Sequence, residues 1–425
     1  MNVLRRVTRA IPTVRFEAHA NSPMAKHWHA YTTTPGFTFV LIRLLVVLLA
    51  FIGLIMVFSA TTIMKLSAGS NPFLSFLKPT LLLVAGLVLM TLCSKARYQL
   101  FIGTAPLIFG ISLALQGVVL FTGLGQGAGG NKNWISVAGF QAQPSELIKL
   151  GLILYIAWVV ACQQIDVTKM RDLLKWVAPA ALVALGLVLG GHDLGTALIF
   201  VLILATVLVY LGVPKRWLFL LGGLGVFCVG VAIGVSPSRR ARVAAIFSSS
   251  KDELGIDLQQ VRAAWGLGTG GLLGVGPGAS RQKWNYLPEA HTDFIFAILG
   301  EEFGLIGTLA VLLLFVALAW GLYRLMVAAT DPGAKVIAVG AMGWIIGQAL
   351  INIAVVIGWG PVVGVPLPFV SSGGSSLLST MTMMGIVLAC ARAEPGARER
   401  LAKPRRAIDR SIAFGRLRRK KASRG

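Results

Sequence analysis

Apolar residues in this chain come in long unbroken runs, and polar residues are confined to the gaps between them. The runs lie at 37–60, 77–94, 99–122, 146–162, 174–190, 193–212, 215–236, 292–325, 334–359 and 374–392. Each reaches the roughly 17–25 residues that an α-helix needs to cross the hydrocarbon core of a bilayer. The pattern predicts an all-α polytopic membrane protein of about ten transmembrane helices. A large loop, 237–291, falls between spans seven and eight, and the fifth and sixth runs are parted only by Gly191-His192. That short break suits either a tight re-entrant pair or two short spans. The pairs Gly186/Gly190 and Gly343/Gly347 have the small-x-x-x-small spacing that lets helices approach closely in lipid.

Composition agrees: 56% of the 425 residues are hydrophobic and only 13% charged, outside the range of ordinary soluble domains. A net charge of +23 would point to nucleic acid in a soluble protein. Here no recognition module accompanies the charge, and Lys and Arg collect in the end segments and short loops. Lys95/Arg97, Lys169/Arg171/Lys175, Lys215/Arg216 and Arg324/Lys335 fall on one face with both termini. The positive-inside rule makes that face cytoplasmic. An N-terminal tail, 1–36, and a basic C-terminal tail, 393–425, then flank a membrane domain at 37–392. The C-terminal tail is suited to anionic lipid on the cytoplasmic leaflet. The first run is too long for a signal-peptide core of about 7–15 residues, so it is retained as a span. Cys93, Cys162, Cys228 and Cys390 lie in or at the ends of apolar runs, with no disulfide or metal spacing, and read as buried free thiols. His27 and His29 are weak grounds for a metal.

The opposite face receives the loops 123–145, 237–291 and 360–373, which hold four polar clusters. The first carries Trp134, then Ser145, Glu146 and Lys149. Trp134 suits an interfacial anchor and Ser145 a helix cap, but Lys149 lies one turn inside an apolar run and must pair or face a cavity. The second is His192-Asp193, where Asp193 suits either a helix cap or a partner for Lys149. The third spans the long loop and its exit, with Arg239, Arg240, Arg242, Lys283, Glu289, His291 and Asp293. Arg and Lys beside an apolar groove suit a lipid-linked diphosphate. The Gly-rich stretch 266–278 lacks the Lys-Ser/Thr of a nucleotide-binding loop. Asp293 suits either a cap for the next span or a general base tuned by its neighbours. In the fourth, three prolines and paired glycines between 359 and 376 cannot continue a helix, so Ser371, Ser372, Ser375 and Ser376 stand on an ordered loop or re-entrant backbone that is buried in protein or lines a cavity, where they could donate to a polar substrate. No Asp–His partner gives those serines a hydrolase triad.

Two of these clusters carry long motifs, Tyr286-Leu-Pro-Glu-Ala-His-Thr-Asp-Phe-Ile-Phe-Ala-Ile-Leu-Gly-Glu-Glu302 and Gly364-Val-Pro-Leu-Pro-Phe-Val-Ser-Ser-Gly-Gly-Ser-Ser376. In these, in their order and over residues 37–392, the chain resembles the SEDS family (shape, elongation, division and sporulation) of FtsW/RodA-type membrane proteins. Its Lys283-Trp-Asn-Tyr-Leu-Pro-Glu-Ala sequence is more similar to the division branch than to the elongation branch, and the basic tail looks actinobacterial. The resemblance implies a ten-span peptidoglycan glycosyltransferase that polymerises lipid II beside a class B penicillin-binding protein (transpeptidase) and division-complex membrane proteins. It also implies a place in the bacterial cytoplasmic membrane at the division septum. The family's essential aspartate falls on Asp293 and its loop tryptophan on Trp134, with further matches at Lys149, Asp193, Lys283, Glu289 and Glu302. Departures occur at His192, Leu258-Gln259, Arg262 and Trp359-Gly-Pro.

On this basis Asp293 is the expected catalytic base for transfer from an undecaprenyl-diphosphate-linked glycan. Trp134, Lys149, Asp193, Arg242, Lys283, Glu289, His291, Ser371, Ser372 and Ser375 are the expected substrate-binding set. A divalent cation, magnesium or manganese, would assist the diphosphate, and its ligands are left open. Competing expectations are a lipid II flippase, the elongation-type paralogue with the same chemistry, and a division scaffold with no catalytic residue.

Overall fold

The computed structural model describes residues 34–67, 69, 71–122, 125–128, 131–137, 140–163, 170–235, 240 and 258–401. Arg239, Arg242, His27, His29, the side chain of Cys228, residues 1–33 of the N-terminal tail and 402–425 of the basic tail lie outside the described residues.

Helices stand where the apolar runs predict them. They are α1 (Phe37–Ser67), α2 (Pro72–Lys95), α3 (Tyr98–Gly103), α4 (Ala105–Phe121), α5 (Pro144–Cys162), α6 (Met170–Gly190), α7 (Leu194–Tyr210), α8 (Lys215–Val235), α9 (Leu258–Gly270), α10 (Ile295–Ala328), α11 (Pro332–Val356) and α12 (Gly374–Arg392). Seven of them, α1, α2, α5, α6, α10, α11 and α12, are long and apolar enough to cross a membrane by length and composition. Helices α4 and α7 are shorter apolar helices. A proline at the start of α4 separates it from α3, and the two fill the third run together. The chain is therefore a helical, multi-pass membrane protein. Gly191-His192 makes a tight turn, with His192 at φ 63° and Asp193 capping α7 through Thr196 N at 2.9 Å. Since α6 has 21 residues, about 31 Å of helix, the pair reads as two spans.

Two features of the loops were not foreseen. Residues 125–142 form a small antiparallel sheet, β1 (Gly125–Ala128), β2 (Asn131–Val137) and β3 (Phe140–Ala142), in the order β1-β2-β3. Glycines in and around β1 and β2 interrupt any alternation of apolar and polar positions, so no strand signal is visible. Part of the long loop is helix α9, which returns along the start of α10.

Helix α11 is the centre of the bundle. Its glycines let neighbours approach: a Cβ on Gly343 would lie 2.1 Å from Thr206 Oγ1 of α7, and one on Gly347 2.9 Å from Leu202 Cδ1. That spacing is used for packing, as expected, whereas Gly186 faces open space. Helix α1 is joined to α10 at two points. Ser59 donates to Glu302 Oε1 at 2.6 Å, and Thr38 accepts from Arg324 Nε at 2.9 Å while donating to Glu394 at 3.3 Å. Pro35 packs against Gly396, which places both ends of the described chain together. Of the thiols expected to be buried, Cys390 is; Cys93 is half-buried, and Cys162 is exposed because it ends α5.

Helix α10 is broken at Gly304 (φ 64°, ψ −161°). A continuous helix would pair Leu305 N with Glu301 O and Ile306 N with Glu302 O. Instead Leu305 N donates to Gly271 O (2.9 Å) and Ile306 N to Leu272 O (3.2 Å), while Val275 N and Gly276 N fill the freed Glu301 and Glu302 carbonyls at 2.9 and 3.1 Å. The segment 271–276 is thus spliced into the helix ladder, and these four polar groups of the broken helix all find partners, as a lipid environment demands. Leu272 and Leu273 turn their side chains outward, exposed by 69% and 78%. A Cβ on Gly304 would meet Gly274 N at 2.4 Å. Gly304→Ala is therefore expected to destabilise the protein by about 3 kcal/mol or more, seen as loss of the monodisperse peak after mild heating in detergent.

Candidate functional site

Asp293 stands two residues before α10. The cap position of that helix is Phe294, with no side-chain hydrogen bond to the helix start, so Asp293 is not held there as a cap. Its backbone is fixed from both sides. Thr292 N and Phe294 N each donate to Glu289 O at 3.2 Å, and Asn352 Nδ2 of α11 donates to Asp293 O at 2.7 Å. The side chain meets a small cavity shared with Asn352 and the segment 362–365. Loss of hydration on burial, then the negative charges of Glu289 and Asp193, push its carboxyl up to about 7. A carboxylate in that range is half-ionised at neutral pH and suited to accept a proton.

The segment 360–373 is non-helical, as the prolines predict, and its polar backbone is matched to buried side chains. Gln348 Nε2 donates to Pro366 O at 2.9 Å and Asn352 Nδ2 to Val365 O at 2.7 Å. Ser371 Oγ accepts from Leu367 N at 2.8 Å and donates to Thr292 O at 2.7 Å. Ser372 N donates to the carbonyl of half-buried His291 at 3.1 Å. These bonds seat the loop directly on the Asp293 turn. Ser375 Oγ is buried without a hydrogen-bond partner. On its other side the loop meets α1 and α2 along a narrow apolar groove lined by Gly53, Val57, Leu82 and Leu83, with Ser371 and Ser372 among its lining residues.

Lys149 is buried, but its partner is not Asp193. It pairs with Glu146 at 2.8 Å, one turn back on its own helix, and donates to Gln348 Oε1 at 3.0 Å. Through Gln348 it steadies the Pro366 carbonyl. Asp193 instead takes hydrogen bonds from Thr196 N, Thr196 Oγ1 (2.7 Å) and Gln143 Nε2 (2.9 Å). It serves as a cap, and it contributes charge to Asp293.

Lys283 is also turned inward. Glu302 lies 3.0 Å from its ammonium, Ser59 accepts from it at 3.0 Å, and the Gly278 carbonyl takes a third bond. Trp134 is half-buried on β2, and its neighbour Asn133 donates to Gly191 O at 3.0 Å, tying the sheet to the Asp193 corner. Glu289 is exposed and accepts from Thr292 Oγ1 at 2.6 Å. The structure therefore brings Asp293, Asp193, Glu289, His291, Ser371 and Ser372 together. It places Lys149 behind them and Lys283 in a separate brace.

Several supporting residues were missed in the sequence. Glu301, fully buried, accepts from Ser280 Oγ, Arg281 N, Gln282 N and Thr269 Oγ1, anchoring the loop before Lys283. Gln348 and Asn352 hold the 360–373 loop, and a signal for them existed: two amides one turn apart in an apolar span. Among the described residues no group of three or more His, Cys, Asp or Glu is placed to hold a metal ion.

Fold and site together define a polytopic membrane protein whose chemistry is gathered at one end of a helical bundle. A family model for FtsW, RodA and SpoVE, described as "Cell cycle protein", matches residues 39–395, and the chain belongs to that family. It is 36% identical over 390 residues to the "Probable peptidoglycan glycosyltransferase FtsW" of Mycobacterium tuberculosis, covering 91% of this chain and 72% of that protein. It is 35% identical to the Stage V sporulation protein E of Bacillus subtilis, over 85% of this chain and 98% of that one. Among solved structures, the rod shape determining protein RodA of Thermus thermophilus superposes with TM-score 0.61 at 27% identity, covering 83% of this chain and 96% of that chain. A chain from a study of "polymerization and crosslinking by a peptidoglycan synthase complex" reaches TM-score 0.69, also at 27% identity, covering 84% and 98%.

The buried Lys283–Glu302 pair makes a specific prediction. Lys283→Met alone should cost about 3–5 kcal/mol by stranding a buried carboxylate. Adding Glu302→Met should restore much of the loss, as a double-mutant cycle of thermal inactivation would register.

Proposed function

We infer that this chain is a peptidoglycan glycosyltransferase that polymerises lipid II into glycan strands, with Asp293 as general base. One observation carries the reading: a carboxylate of raised proton affinity beside a cavity, at the end of the bundle where an apolar groove also opens. The oxygen of the incoming sugar's 4-hydroxyl attacks the anomeric carbon of the growing glycan as Asp293 takes its proton. The bond from that carbon to the diphosphate oxygen breaks, undecaprenyl diphosphate departs with the electron pair, and the anomeric configuration inverts. The groove along α1 and α2 suits a lipid tail, and its serines suit the polar head. The 360–373 loop, steadied by Gln348 and Lys149, supplies orientation.

The diphosphate's charge needs cations from elsewhere, since Lys283 is committed to Glu302. Arg242, in the segment outside the described residues, is our candidate. The described residues do not fit a resident metal, so no step runs through one; a magnesium or manganese ion would arrive with the diphosphate, and titration with each ion against a chelator checks this. A class B penicillin-binding protein is the proposed partner, both termini are proposed to be cytoplasmic, and the site of action the division septum. The basic tail is proposed to rest on anionic lipid.

Asp293→Asn should lower polymerisation by about 10²–10⁴ with the fold intact; substantial glycan formation by the purified variant would sink the assignment. Wild-type kcat/KM should fall as pH drops through about 7, where the base becomes protonated. Linkage has the opposite sign for stability. A carboxyl that holds its proton more tightly when folded favours the fold at low pH and loses that contribution as pH rises through about 7. Asp293→Asn should thus be more heat-resistant than the wild type at pH 8 and lose that advantage below about pH 4, a comparison that thermal melts at the two pH values would make.

A further inference from the structure

Asn352 holds the site together and has one atom left over. Its Nδ2 donates both hydrogens, to Asp293 O and to Val365 O, each at 2.7 Å. Two carbonyl acceptors fix the amide orientation, because the flipped form would set an oxygen against both. Oδ1 is thereby directed away from them, and it is buried without any hydrogen-bond partner in a side chain only 2% exposed. An acceptor stranded in this way destabilises the resting protein unless an occupant donates to it. Asn352 lines the same cavity as Asp293, with Val362, Val363 and Gly364 opposite. Apolar walls of that kind offer an occupant few other polar atoms.

We propose that Asn352 Oδ1 is a binding subsite for the acceptor sugar, taking a hydrogen bond from a hydroxyl on carbon 3 or carbon 6, the two that flank the attacking 4-hydroxyl. This rests on the polymerase function inferred above. With one hydroxyl bound to Asn352 and its neighbour to Asp293, the sugar meets the base in a single rotation. The same side chain clamps the backbone carbonyl of Asp293, so the contact that seats the sugar also sets the position of the base. No bond is made or broken at Asn352.

The test uses the full chain with a preformed glycan donor and, as acceptors, lipid II and its analogues with 3-deoxy- or 6-deoxy-N-acetylglucosamine. The ratio of native to deoxy rates is read in each protein, because a purely structural defect lowers both rates alike. Wild type should lose about tenfold to a hundredfold with one of the two analogues. Asn352→Ala should be slow with all acceptors and discriminate by less than about threefold. Asn352→Asp, which keeps an acceptor oxygen but loses the donor pair, should be slow yet still discriminate. Full discrimination by Asn352→Ala, or none by the wild type, would overturn the subsite; the wild-type arm decides alone if both variants fail to fold. An active Asp293→Asn would instead overturn the polymerase mechanism, so the two failures are distinct.

Discussion

A backbone below the membrane surface has no water to satisfy its amides and carbonyls, and this constraint organises the end of the bundle that holds Asp293. Helix α10 breaks at Gly304, yet the amides of Leu305 and Ile306 and the carbonyls of Glu301 and Glu302 stay paired, because 271–276 enters the gap and trades hydrogen bonds with both edges. The 360–373 loop obeys the same rule by another route, borrowing the side chains of Gln348, Asn352 and Ser371. Irregular backbone is tolerated at such depth only where protein lines it. Here the 360–373 loop is seated on the Asp293 turn, and the break in α10 lies about three turns further on.

Acidic side chains divide into two kinds by what surrounds them. Glu301 and Glu302 are saturated, one by backbone amides and hydroxyls and the other by Lys283 and Ser59. Asp193 is likewise occupied by Thr196 and Gln143. Asp293 is given burial and negative neighbours instead of donors, which raises its hold on a proton. Saturation suits structure and privation suits proton transfer, and the same residue type does both within a few turns of helix.

Helices were legible because their signal is a run of apolar residues, which depends on nothing far away in the chain. Asp293 and the 364–376 loop were legible from long local motifs. What failed were pairings across the bundle. Lys149 was correctly read as a buried cation in need of a partner, but the partner is Glu146 on its own helix and Gln348 on another, not Asp193. Lys283 was expected in the substrate-binding set, and the fold instead pairs it with Glu302 and Ser59, far from it in sequence. The small sheet at 125–142 left no alternation to read, because glycines punctuate it. Asn352 could have been noticed as an amide one turn from Gln348, although its twofold grip on Asp293 and Val365 depends on three segments meeting.

The two joints between α1 and α10 have a mechanical consequence. Thr38 and Ser59 lie about 30 Å apart along α1, and each is fastened to the same partner helix, at Arg324 and Glu302. The break at Gly304 lies between those two joints, so α1 acts as a splint, held to α10 on either side of the gap. Bending at the gap would have to break one of these side-chain hydrogen bonds as well as the backbone bonds to 271–276.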